Sequence, residues 1–197
     1  MRGLNVVCRF DVEVRDKSLP TVAVDAGLQY CLQEQLNVIM AIGDFDSLNK
    51  ELLDAYRGER QVMPAEKAVS DLELAFEFLK NYQESIYVYG ALNRRMDHSL
   101  VNLKLCYYSD LAIRLIDDYN LIYKLGPGTH KIATNEYKYY SFLSFCDCNI
   151  SLRGFKYPLE NYLLNVADNL TLSNELSDDV GEMTIDKSIL VFCTKDS

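Results

Sequence analysis

The chain has 197 residues, 49% hydrophobic and 25% charged, with 29 Asp and Glu against 20 Lys and Arg and a formal net charge of -9. With only 9 Gly and 4 Pro, this composition excludes a disordered, collagen-like or linker-dominated chain and allows one domain or two small ones. The acidic balance also argues against a general basic surface for nucleic acid, so the expected partner is a small molecule, whose phosphates a divalent cation can neutralise locally.

No apolar run approaches the roughly 20 residues that span a bilayer, and residues 1–16 mix Arg and Asp into their apolar positions. The expectation is a cytoplasmic protein without a membrane segment. Cys8, Cys31, Cys106, Cys146, Cys148 and Cys193 are scattered through apolar segments and read as reduced, mostly buried thiols. His98 and His130 are the only histidines, so a metal in this chain is expected to have oxygen ligands.

In chain order, β-rich runs at residues 4–8, 21–24, 38–42, 85–89 and 112–116 alternate with helical patterns at 28–35, 48–56, 71–81 and 97–108. In the third helix Leu72, Ala75, Phe76 and Leu79 fall on one face, and Ser70 with Glu73 forms an S-x-x-E capping box at its start. Strand alternating with helix predicts a mostly parallel sheet covered by helices. Beyond residue 118 the character changes to short β-like runs at 121–124, 131–133, 139–145, 149–152, 170–172, 183–185 and 189–193, broken by turn residues such as Gly126-Pro127-Gly128. The fold expectation is therefore an N-terminal α/β/α domain, 1–118, followed by a small antiparallel all-β sandwich, 119–197.

In an open parallel sheet, ligands sit beyond the carboxyl ends of the strands. Asp25 and Gly27 stand at one such end, and Gly43-Asp44-Phe45-Asp46-Ser47 at another. Asp44 and Asp46 alternate around Phe45, so both carboxylates can face one side while the ring turns into the core. Paired aspartates here suit Mg²⁺, which takes few carboxylates and completes its shell with water and phosphate. They suit a tight turn equally well. Asp71 opens the third helix, where an acid also simply complements the helix dipole. Arg94, Arg95, Asp97 and His98 open the fourth helix, a favourable place for phosphate, although each arginine alone reads as a solvated charge.

Together these segments resemble the thiamin pyrophosphokinase family, which transfers pyrophosphate from ATP to the hydroxyl of thiamin, giving thiamin diphosphate and AMP. Residues 43–47 reproduce its G-D-F-D-S motif. Lys67 with Ser70-Asp71-Leu72-Glu73-Leu74-Ala75 is similar to its K-x-x-T-D-L-E-L-A segment. Gly90-Ala91, Arg95-Met96-Asp97-His98 and Asn102-Leu103 follow its G-A-x-G-G-R-x-D-H…N-L pattern. Residues 152–159 and Ser173-Asn174-Glu175 match its G-L-K-Y-P-L and S-N-E signatures. The chain departs from the family at Ala26 and at Asn93-Arg94, which replace glycines, at Ala68, where an acid is common, and in having no Trp.

The resemblance implies that Asp44, Asp46, Asp71 and Asp97 surround Mg²⁺ and the ATP phosphates, with Asp46, Asp71 and Asp97 catalytic. Asp97 is the first choice to orient or deprotonate the hydroxyl. Asp25 and Gly27 lie along the nucleotide, Lys67 and Arg95 balance phosphate charge, and His98 assists or packs against the loop. Ser173 and Asn174 contact thiamin, in a cleft completed by a second subunit of a homodimer. Tyr137, Tyr139, Tyr140, Tyr157 and Tyr162 either supply that interface or pack within the second domain. The alternatives are a Mg²⁺-dependent phosphotransferase or phosphohydrolase with another substrate, and a non-catalytic binder of thiamin or nucleotide.

Overall fold

The computed structural model describes residues 2–9, 11–46, 48, 50–62, 69–93 and 95–196. It divides into two compact units, residues 1–118 and 119–197. The first unit runs β1 (Leu4–Val7), β2 (Thr21–Val24), α1 (Gly27–Gln33), β3 (Val38–Gly43), α2 (Lys50–Ala55), β4 (Arg60–Val62), α3 (Asp71–Phe78), β5 (Ile86–Tyr89), α4 (Met96–Tyr108) and β6 (Ile113–Ile116). All of its strand pairings are parallel, in the order β4-β3-β2-β1-β5-β6. The middle strands of this sheet, β1 and β2, are buried at every position, polar Asn5 and Thr21 included, as a parallel sheet covered on both faces requires.

β4 lies outside the expected strands. Among the described residues it pairs with β3 alone, and as a mostly exposed Arg-Gln-Val edge strand it carries no apolar pattern. The start of α3 agrees with its predicted boundary, because the Ser70 hydroxyl accepts a hydrogen bond from the Glu73 amide at 3.2 Å. At the C-terminal edge of the sheet Asp25 follows β2 and Asp44 and Asp46 follow β3, while Asp71 and Asp97 lie in the first turns of α3 and α4.

The second unit contains β7 (Asn120–Leu125), β8 (Gly128–Ala133), β9 (Tyr139–Leu143), β10 (Cys148–Arg153), β11 (Leu159–Leu164), β12 (Val180–Ile185) and β13 (Ile189–Thr194). Antiparallel pairings join β7, β13 and β9 in one layer, and β11, β10, β12 and β8 in another. Tyr140, Phe142, Ile150, Leu152, Met183, Ile185, Ile189 and Val191 fill the core. In β10 and β12 the buried positions alternate with half-buried or exposed ones, as expected for strands with one face inward.

Two strand assignments in this unit need correction. Residues 170–172 form a turn, closed by the Leu172 amide on the Asn169 carbonyl at 3.2 Å. The apolar Leu170 and Leu172 point outward there, while buried Thr171 exchanges hydrogen bonds with Phe142. Conversely, residues 159–164 form β11, whose alternation is broken by a bulge: its register against β10 shifts near Asn161, which has φ 44°. The tyrosines also separate. Tyr137 and Tyr140 belong to the core, and Tyr162 packs partly against it, so only Tyr157 of the five is exposed and Tyr139 half-exposed. Among the described residues no helix is long and apolar enough to cross a membrane.

Candidate active site

From β1 the first unit's sheet grows outward through β2 and β3 to β4, then resumes on the other side of β1 with β5 and β6. That reversal makes the β1/β5 junction the topological switch point, where an open parallel sheet forms a crevice beyond its strand ends. A cavity of about 340 Å³ lies there. Cys8 and Arg9 line it from the end of β1, Asp25 from just after β2, Ser70 and Asp71 from the start of α3, Ala91 and Asn93 from the β5–α4 loop, Arg95 from the N-cap of α4, and His98 and Asn102 from α4. Of the residues singled out in the sequence, Asp25, Asp71, Arg95 and His98 therefore meet in one cavity.

Gly27 has a different role: it is buried, and a Cβ there would collide with the Val7 carbonyl, so the glycine lets α1 start against the end of β1. Gly43, at φ 150°, faces a similar limit, since a Cβ would strike the Asp25 carboxylate. That close approach ties the end of β3, and with it residues 44–46, to Asp25. The Asp44 carboxylate then accepts a hydrogen bond from the Asp46 amide at 3.2 Å, closing a tight turn. Phe45 sits at φ 57° with its ring buried at 4% exposure, leaving Asp44 half-buried and Asp46 exposed. Asp25, Phe45 and Ser173 are three of the five described non-glycine residues with positive φ, and all three lie in the motif segments. Backbone held in this region marks sites where the surrounding fold overrides local preference.

At the start of α4, the Arg95 guanidinium grips Asp97 through Nη2 at 2.6 Å and Nε at 3.3 Å. This fork holds the Asp97 carboxyl at about 2, well below the usual range. Both side chains are exposed, at 67% and 62%, so they remain accessible to an arriving anion or cation. Burial, with help from Asp25, Cys31 and Asp71, pushes the Cys8 thiol far up and keeps it neutral beside the cavity. Among the described residues, no three His, Cys, Asp or Glu side chains cluster to hold a metal. Lys67 and Arg94 lie outside the described residues.

In the second unit Ser173 and Asn174 differ sharply. Ser173 is exposed at φ 53°, with its amide held by the Ser141 hydroxyl at 2.9 Å. Asn174 is 2% exposed; its Oδ1 accepts from the Tyr157 and Glu175 amides at 3.1 and 2.9 Å, and its Nδ2 donates to the Tyr157 carbonyl at 2.9 Å. Its amide thus clamps the Tyr157 loop. Cys8, Arg9, Asn93 and Asn102 also line the cavity; the sequence places Asn93 and Asn102 in a motif but assigns none of the four a role, because their proximity depends on the order of strands in the sheet.

The family model described as "Thiamin pyrophosphokinase, catalytic domain" matches residues 13–116. The one described as "Thiamin pyrophosphokinase, vitamin B1 binding domain" matches residues 129–190. A thiamine pyrophosphokinase of Bacillus subtilis (strain 168) is 34% identical over 180 residues, covering 86% of this chain and 84% of the relative. The crystal structure of thiamine pyrophosphokinase from Bacillus subtilis aligns with a TM-score of 0.87 at 27% identity, covering 98% of this chain and 99% of that one. The thiamin pyrophosphokinase structure from Geobacillus thermodenitrificans aligns at 0.83 and 28% identity, with 98% and 97% covered.

Proposed function

The chain belongs to the thiamin pyrophosphokinase family, and from that premise we propose that it transfers pyrophosphate from ATP to the hydroxyl of thiamin through residues at its α/β strand ends. The supporting observation is the switch-point cavity, where Asp25, Asp71, Arg95 and His98 converge from separate loops and helix starts. In-line transfer between oxygens needs alignment and charge neutralisation more than covalent chemistry. Such a site requires cationic groups beside carboxylates, accessible to phosphate.

Mg²⁺ fits the donor set. Asp44, Asp46, Asp71 and Asp97 offer hard oxygen ligands of the kind Mg²⁺ takes together with waters and phosphate oxygens. When bound, the ion offsets phosphate charge. Arg95, and Lys67 in the same role, bind the non-bridging oxygens, while Asp25 orients the nucleotide beside them. Held ionised by Arg95, Asp97 accepts a hydrogen bond from the attacking hydroxyl and orients it. Being so weak a base, it is better suited to that role than to removing the proton. His98, exposed at the cavity wall, lies within the same anion-binding helix start.

On the β unit Ser173 presents the group that meets thiamin, and Asn174 holds its support in place. We read the working enzyme as a cytoplasmic homodimer. Free cysteines support the reducing compartment, and exposed Leu143, Leu170 and Leu172, joined through the Phe142–Thr171 hydrogen bonds, support an apolar surface that a second copy covers. Incubation with ATP, Mg²⁺ and thiamin is expected to yield thiamin diphosphate and AMP in equal amounts. ADP or free phosphate as the accompanying product would contradict the reading. Light scattering of the active species should exceed the 22.6 kDa of one chain.

A further inference from the structure

α4 turns an apolar-rich outer surface to solvent, with Met96, Leu100, Val101 and Tyr108 exposed, yet buries two polar side chains, Ser99 and Asn102, at 6% and 8% exposure. Burying a hydroxyl and an amide on the inner face of a helix is unfavourable unless both find partners. Neither partner lies in the helix or the sheet; both lie in the β5–α4 loop. The Ser99 hydroxyl accepts from the Asn93 amide at 3.1 Å and donates to the Asn93 carbonyl at 3.2 Å, so one side chain captures both backbone groups of one residue. Asn102 Nδ2 donates to the Ala91 carbonyl at 2.7 Å. Held in this way, Asn93 uses its own Oδ1 to accept the Arg95 amide at 2.7 Å.

We propose that Asn93, clamped by Ser99, is a positioning residue that sets the Arg95 backbone so that its guanidinium projects where the phosphate chain must lie. The proposal rests on the reading of Arg95 as a phosphate-binding group. Asn93 stands where the family motif carries glycine. A glycine leaves the Arg95 amide without this acceptor and gives the loop more backbone freedom. In this chain a side-chain hydrogen bond replaces that freedom with a fixed launch point. The geometry is directional: Ser99 fixes Asn93, Asn93 fixes the Arg95 amide, and Arg95 reaches Asp97 through its fork.

A double-mutant cycle on Asn93 and Arg95 tests this, with kcat/KM for ATP, KM for thiamin and the urea midpoint measured for each variant. Asn93→Ala is expected to lower kcat/KM for ATP by roughly two- to twelvefold, the worth of one neutral hydrogen bond, with the thiamin KM unchanged. In the Arg95→Ala background the same substitution should change kcat/KM less than about twofold, because its effect passes through the missing guanidinium. Ser99→Ala should reproduce the Asn93→Ala effect, and Ser99→Thr, which keeps the hydroxyl, should restore activity. An equal fold-loss from Asn93→Ala in both backgrounds would overturn the inference while leaving Arg95 a phosphate-binding group. An Arg95→Ala enzyme with unaltered ATP kinetics would overturn the reading of Arg95 and the inference with it.

Discussion

In the α/β unit the charged motif side chains Asp46, Arg95 and Asp97 stay open to solvent, and the turns that carry them are fixed through the backbone. Asp44 closes a turn on the Asp46 amide, Asn93 holds the Arg95 amide, and the Arg95 and Asp97 heads remain more than half exposed. In the β unit the motif divides, with Asn174 sealed inside at 2% exposure while its neighbour Ser173 faces out. The first arrangement suits a charged ligand, since exposed ionic groups can exchange partners without leaving a buried charge unpaired. The second suits recognition by shape, in which a rigid frame presents one polar contact. A shared sequence motif therefore mixes exposed side chains with buried ones that hold the loops still.

The contrast breaks most visibly at Asp46. Asp46→Asn is expected to lower kcat on the order of a hundredfold, as loss of a preorganised charge in such a site does. Its thermal midpoint should hardly move, because surface changes of this kind cost within about 0.5 kcal/mol. Near-normal turnover at saturating Mg²⁺ would remove Asp46 from the site. Asn174→Ala should do the reverse. Stripping the amide from Tyr157 leaves partly buried backbone groups unpaired, at about 1–3 kcal/mol of stability in urea melts. Thiamin affinity should weaken only through the displaced loop, and an intact midpoint with lost thiamin binding would make Asn174 a direct contact residue.

Ser173→Ala sharpens the comparison from the other side. Thiamin binding should weaken roughly two- to twelvefold by calorimetry, with ATP binding and the melting midpoint unchanged. Equal weakening for ATP would contradict the separation of roles. The smallest effect expected is a pH effect away from both sites. Burial pushes the Cys31 thiol up to about 12 from an ordinary 9.0. The folded chain keeps this thiol protonated while the unfolded chain ionises it, so the stabilising contribution is complete below pH 9.0 and is lost as pH rises toward about 12. Urea midpoints should begin to fall above about pH 9 and keep falling toward about pH 12, and fall less in Cys31→Ala.

Much of this was legible in the sequence, for identifiable reasons. Parallel strands buried at every position, such as β1 and β2, announce themselves as largely apolar, β-branched runs, and Ser70 with Glu73 marks the start of α3 through local chemistry alone. The acids at the strand ends were visible because turns and ligand loops share a residue vocabulary. What stayed hidden depends on tertiary placement. Edge strand β4 has no apolar pattern, the Asn161 bulge disguises β11, and the outward leucines of residues 170–172 imitate a strand. In the cavity, Cys8 and Asn102 become neighbours of Asp71 only because β5 returns beside β1. Strand order is a global property, and no local spacing encodes it.

The most direct test of the central claim is the fate of each ATP phosphorus. With thiamin and Mg²⁺ present, label at the β-phosphorus is predicted to appear in thiamin diphosphate, directly bonded to the thiamin oxygen, while label at the α-phosphorus stays in AMP. β-label remaining in ADP, with only γ-label reaching the vitamin, would mean single-phosphoryl transfer and would contradict pyrophosphate transfer at this site.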